Sequence, residues 1–175
     1  TYTATNNGNA LTTSSGKLRI DGEAPVVTLI APDDNAQLNG NSQFRFVATD
    51  NLAPLLSCDF RVDGVIQTTV AAENGNTRNV TAVDAVEGTH TWSVSCRDQV
   101  SLTATTPERI YVNDKTPPTI QANTTNNSII KEGTLIPFIV TDNNEVATVQ
   151  FDFGNTTING TTNTSINTSG IKDPI

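Results

Sequence analysis

The sequence predicts an all-β protein of serial two-layer sandwiches, and three observations carry that prediction. Val, Ile and Thr are abundant along the whole 175-residue chain, the composition of pleated sheets with polar outer faces. Apolar and polar residues alternate along short runs bounded by turn residues. Some of these runs also return at a fixed distance. FRFVATDN, from Phe44, comes back as PFIVTDN, from Pro137, so that Asp50 matches Asp142 at an offset of 92. IYVNDKTPPTI, from Ile110, echoes LRIDGEAPVV, from Leu18, and Pro117 matches Pro25 at the same offset.

The period of 92 fits an immunoglobulin-like sandwich of seven or more strands. It divides the chain into the last strands of a preceding unit (1–22), one complete unit (23–114) and the first strands of a following unit (115–175). Within the complete unit each strand has its own signal. Pro25–Ala31 is alternating and Val-rich, and Asn35–Asn41 is a turn-rich approach. Gln43–Ala48 sets Phe44, Phe46 and Ala48 against Gln43 and Arg45. Leu56–Val62 aligns Cys58, Phe60 and Val62 on one face. Asp63-Gly64 is a two-residue hairpin dipeptide leading into Val65–Ala71. Arg78–Val83 follows. Thr89–Cys96 puts His90, Trp92, Val94 and Cys96 on one face. Ser101–Thr105 and Arg109–Val112 close the unit. No window has a convincing helical period.

Cys58 and Cys96 both fall on the inward parity of their strands. Cys96 matches Ala4 at the offset of 92, and the counterpart of Cys58 in the next unit is read as Val149, one residue short of that offset; both are apolar where the repeat varies. A core disulfide that the fold tolerates losing has this pattern; two buried thiols are the alternative. The net charge is −8, and ten Lys and Arg are scattered along the chain. Without a basic patch, nucleic acid is excluded as a partner. No apolar run reaches the length of a membrane span. Thr1 stands where Met would, which reads as a mature or excised piece whose export signal is gone.

ATDNLAPLLSCDFRVDGV, followed by GTHTWSVSCRDQVSLTATTPERIYVNDKTPP, resembles the Ig-like repeats of archaeal and bacterial surface proteins. The shared pattern is a TD after the second strand, a VDG hairpin, GTHTW-V-C-D, and a linker ending in PP. Those repeats are similar in fold to fibronectin and PKD-type sandwiches. The motif usual after the sixth strand departs here, to RDQVS in one unit and NNGNA in the other. The resemblance implies a stalk, adhesin, sheath or filament module, or an enzyme appendage, at the cell surface.

Asn-x-Ser/Thr triplets occur at Asn79, Asn123, Asn126, Asn155, Asn159, Asn163 and Asn167. An Asn- and Thr-rich chain makes such triplets by chance, but chance does not favour the spacing of four across the last four. In one strand or extended loop, positions four apart share a face. The run therefore reads as a glycan-bearing face, and so as export to an oxidising surface environment.

Poised chemistry is scarce, and no enzymatic activity is expected. His90, the single histidine, reads as a core-edge residue beside Trp92 and lacks a nucleophile partner. Asp33-Asp34 reads as a solvated turn. No Cys/His metal cluster exists, and no cofactor is expected. A lesser reading gathers Asp50, Asp98, Asn113 and Asp114 around calcium at the interdomain linker, because VNDKTPP is similar to cadherin-like linkers. The expected function is a structural segment of an extracellular, glycosylated surface protein or filament, archaeal in style. Its partners are adjoining repeats, copies of itself and attached glycans, with the two ends of the chain able to complete each other head to tail. The rival reading is an adhesin or carbohydrate-binding module, which needs an aromatic platform. Phe44, Phe46, Phe60 and Trp92 all read as internal instead.

Overall fold

The computed structural model describes residues 2–4, 12–14, 18–40, 42–81, 86–122, 129–152, 157–160 and 165–169. In chain order its strands are β1 (Tyr2–Ala4), β2 (Thr12–Ser14), β3 (Val26–Ala31), β4 (Ala36–Leu38), β5 (Gln43–Thr49), β6 (Leu55–Val62), β7 (Val65–Glu73) and β8 (Thr77–Thr81). They continue with β9 (Gly88–Arg97), β10 (Thr103–Thr105), β11 (Arg109–Asn113), β12 (Thr119–Ala122), β13 (Leu135–Thr141), β14 (Val149–Asp152), β15 (Thr157–Gly160) and β16 (Ser165–Asn167). Among the described residues none is helical, and no helix is long and apolar enough to cross a membrane. The chain forms two compact units, Thr1–Asn113 and Asp114–Ile175.

The first unit holds a β-sandwich. One sheet has the order β3-β5-β8; the other has the order β4-β11-β9-β6-β7, with β10 also on β9. Every pairing is antiparallel except β4 on β11, which is parallel. This is an immunoglobulin-like arrangement of two packed sheets. The strict alternation read from the sequence places Phe44, Phe46 and Ala48 of β5 inside, facing Cys58, Phe60 and Val62 of β6, Trp92 and Val94 of β9, and Tyr111 of β11. Phe44 joins the layers: its ring centre lies 5.0 Å from Phe60, 5.0 Å from Trp92 and 5.3 Å from Tyr111. Burying each such side chain contributes about 1.5–3 kcal/mol, and the edge-to-face contacts add to that.

The chain passes from the first sheet to the second between β3 and β4. The turn is held by Ile110, whose amide donates to Asp34 Oδ1 (2.7 Å) and whose carbonyl accepts from the Asn35 amide (2.8 Å). Arg109 fastens the same corner. Its guanidinium donates to the carbonyls of Leu29 and Pro32 at 3.0 and 2.9 Å and lies 6.0 Å from the Trp92 ring centre. Asp33-Asp34 is thus a turn, as the sequence suggested. The short β4 lies inside the turn-rich approach Asn35–Asn41. A three-residue parallel strand has too little alternation to announce itself.

The second unit has a sheet β12-β13-β16 and a hairpin β14-β15. Phe138 and Val140 of β13 and Val149 of β14 are buried together, with Phe138 and Phe151 ring to ring at 4.2 Å. Phe138 and Val140 stand 92 residues after Phe46 and Ala48, and those two are buried as well. The β1–β2 ladder pairs Ala4 with Thr12, as the β9–β10 ladder pairs Cys96 with Ala104. The β12–β13 ladder sits one residue out of step with β3–β5: Thr119 opposes Thr141, whereas Val26 opposes Thr49.

Candidate functional site

At one end of the sandwich three loops deliver carboxylates to a single point. Asp21 lies in the segment leading into β3, Asp50 directly follows β5, and Asp98 directly follows β9. Antiparallel pairing makes this meeting obligatory: β5 returns alongside β3 to end where β3 begins, and β9 returns alongside β6 to end where β6 begins. One carboxylate oxygen from each of Asp21, Asp50 and Asp98 lies within 4.8 Å of the others.

Two of the three are fixed by their own turns. Asp50 Oδ1 accepts from the Leu52 and Ala53 amides at 2.9 and 2.7 Å. Asn74 holds the same turn, accepting from the Asp50 amide and donating to the carbonyls of Asp50 and Ala53. Asp98 Oδ1 accepts from the Val100 and Leu102 amides at 2.8 and 2.9 Å. The remaining oxygen of each, Oδ2, is buried without a hydrogen-bond partner. Asp98 as a whole is 7% exposed. Among the described residues no Lys or Arg pairs with any of the three.

The sequence reading gathered Asp50 and Asp98 with Asn113 and Asp114. The structure corrects half of that. Asn113 opposes Gly88, at the start of the ten-residue β9, while Asp98 follows its end. Ten residue steps from Gly88 to Asp98 put them about 33 Å apart. Asn113 is buried instead as a structural bridge, accepting from the Gly40 amide and donating to the Val86 carbonyl. Asp114 follows Asn113 at that far end. The missed member is Asp21, which stands where the repeat register puts Asn113. The signal was present: the segment before a sandwich, not the one after it, meets the ends of β5 and β9.

Cys58 and Cys96 form a disulfide with Cα atoms 4.0 Å apart, both sulfurs in the core. They are directly opposed on neighbouring strands β6 and β9. The bond therefore braces one sheet rather than linking the two.

His90 is held more tightly than a plain core-edge histidine. Its Nδ1 lies 2.7 Å from Asp63 Oδ2 and its Nε2 2.7 Å from the Val86 carbonyl. Both neighbours are acceptors, so only the imidazolium satisfies both. The Asp63 hydrogen bond raises the His90 pKa, against some opposing burial; the Val86 bond and the Asp63 charge add to it. For Asp63, burial pushes upward, but hydrogen bonds from His90 and the Thr91 amide, with the His90 charge, bring it below the ordinary value. Tyr111 stacks 5.5 Å from His90, and burial, with the Asp63 charge, pushes its phenol up to about 12. The described hydrogen bonds of His90 go to Asp63 and to the Val86 carbonyl, and its geometry is that of a strut.

Asn79, on β8, is exposed. Asn159 and Asn167 are also exposed, but on β15 and β16, which pair with β14 and β13 respectively. The four-residue ruler therefore does not run along one strand. Asn123, Asn126, Asn155 and Asn163 lie outside the described residues. Phe44, Phe46, Phe60 and Trp92 are all buried and form no aromatic platform.

No family model matches the chain, and no curated protein matches it. Among solved structures it is similar to fibronectin(III)-like modules of CbhA from Clostridium thermocellum. The identity is 27%, over 50% of this chain and 96% of that one, with a TM-score of 0.42.

Proposed function

We propose that the chain is a structural segment of an extracellular, glycosylated surface protein, in which the sandwich serves as a spacer and not as a catalyst. The observation that carries this reading is the Cys58–Cys96 disulfide in the core. Such bonds persist in oxidising, extracytoplasmic settings. The exposed sequons at Asn79, Asn159 and Asn167 support the same compartment, since glycans there are accommodated without entering a core. The shared ladder register of β1–β2 and β9–β10, and the burial of Phe138 and Val140 like Phe46 and Ala48, support serial units. Its partners are then adjoining repeats of the same protein and its own glycans. A carbohydrate-binding role is disfavoured by the burial of the aromatic rings that a sugar platform would use.

Glycopeptide mapping of the chain from its source cells, alkylated without reduction, tests this. Glycans on at least one of Asn79, Asn159 and Asn167, with both cysteines unalkylated, is the expected result. Bare asparagines and two alkylated cysteines would overturn it.

A further inference from the structure

The convergence of Asp21, Asp50 and Asp98 has a cost that no cation among the described residues offsets. Three carboxylates within 4.8 Å repel. Two of their oxygens, Asp50 Oδ2 and Asp98 Oδ2, are also withdrawn from water without a donor, and a buried, unpaired carboxylate oxygen is strongly unfavourable. The arrangement is not loose. Asp50 and Asp98 each commit Oδ1 to two backbone amides, and this fixes the carboxylate and leaves the other oxygen for something else. What fits is a positive centre that accepts several oxygens at once.

We propose that Asp21, Asp50 and Asp98 bind a calcium ion that pins the segment preceding β3 to the end of the sandwich. The ligand set is all oxygen, which selects a hard cation over zinc or copper. Three carboxylates, one of them from an extended segment, suit calcium's variable six- to eight-fold coordination better than magnesium's strict octahedron; backbone carbonyls and water complete the shell. Affinity on the order of 10⁻⁴ M is the range used by extracellular modules. Asp142 repeats part of the design in the second unit. Its Oδ1 accepts from the Asn144 amide at 2.8 Å and its Oδ2 is buried without a partner. The position one period after Asp50 is thus prepared in the same way. The ion's role is mechanical. Asp50 and Asp98 belong to the sandwich, Asp21 to the chain entering it, and a shared cation makes that joint rigid only when calcium is present. The assignment holds whether or not the parent protein is a glycosylated surface protein.

Calcium titration of the full chain by calorimetry, with melting curves in calcium, magnesium and chelator, tests it. Asp98→Asn keeps an Oδ1 for the Val100 and Leu102 amides while removing the charge. Asp21→Asn alters only the incoming segment and decides the matter should Asp98→Asn fold poorly. Wild type is expected to bind calcium with a raised melting temperature, and each variant to lose at least ten-fold in affinity. In chelator, Asp98→Asn is expected to melt at or above wild type, because a repulsive charge is gone; a purely structural Asp98 would give a lower melt. Absence of a calcium response in wild type, an equal response in both variants, or magnesium serving as well as calcium would each overturn the proposal.

Discussion

Asp63 shows how much one side chain can organise here. With Gly64 it forms the hairpin turn, both residues at positive φ (50° and 74°), the geometry a two-residue turn between right-twisted strands requires. Its carboxylate then reaches the Thr91 amide at 2.9 Å and the His90 ring, tying the hairpin to the start of β9. The linkage has a defined pH window. The raised His90 pKa adds stability that is complete below its ordinary 6.5 and fades as pH rises through the folded value. The lowered Asp63 pKa adds stability that is complete above its ordinary 3.8 and fades as pH falls through the folded value. The pair contributes most between these limits. Asp63 is half-exposed, so the effect is small: from pH 6 to pH 9 wild type should lose about 1–3 °C of melting temperature relative to His90→Gln. Parallel pH profiles of the two proteins by circular dichroism measure this. The dipeptide announced the turn in the sequence; its clasp on His90 did not show, because it depends on which strand lies beside the hairpin.

Among the elements, β5, β6 and β9 carry the sandwich, and their inward faces were legible from alternation alone. Phe44 is the residue through which the sheets meet, so Phe44→Ala should cost about 3–5 kcal/mol in denaturant unfolding, and Phe44→Leu distinctly less. The disulfide between β6 and β9 closes a loop with a sequence separation of 38, worth about 4 kcal/mol in the chain-entropy account. Replacing it by two apolar residues, Cys58→Val with Cys96→Ala, should leave the fold intact and lower stability by about 2–5 kcal/mol; urea titration of both proteins supplies the difference. In β15 the sequence showed Asn159-Gly160 only as part of a sequon. A Cβ on Gly160 would come within 3.0 Å of Phe151 and 3.4 Å of Phe138. Gly160 therefore lets β15 lie against both rings while Asn159 faces solvent. The four-residue ruler failed as a single strand because β15 and β16 join different partners, and pairing between distant segments is not written in local spacing.

At the scale of the whole molecule, the all-β sandwich class was legible from alternation, while the meeting of the three carboxylates was not. Asp21, Asp50 and Asp98 are widely separated in sequence, and only antiparallel return brings them to one end; the linker resemblance pointed to the opposite end of the unit. The proposed spacer role requires the first unit to resist force as one body around the disulfide that locks β6 to β9. Stretching the full chain end to end, oxidised and then reduced, tests this most directly. A discrete unfolding event in both states is the predicted result, with the reduced chain releasing about 130 Å more contour length as the 38-residue loop is freed. Extension without a discrete event, or equal lengths in the two states, would contradict it.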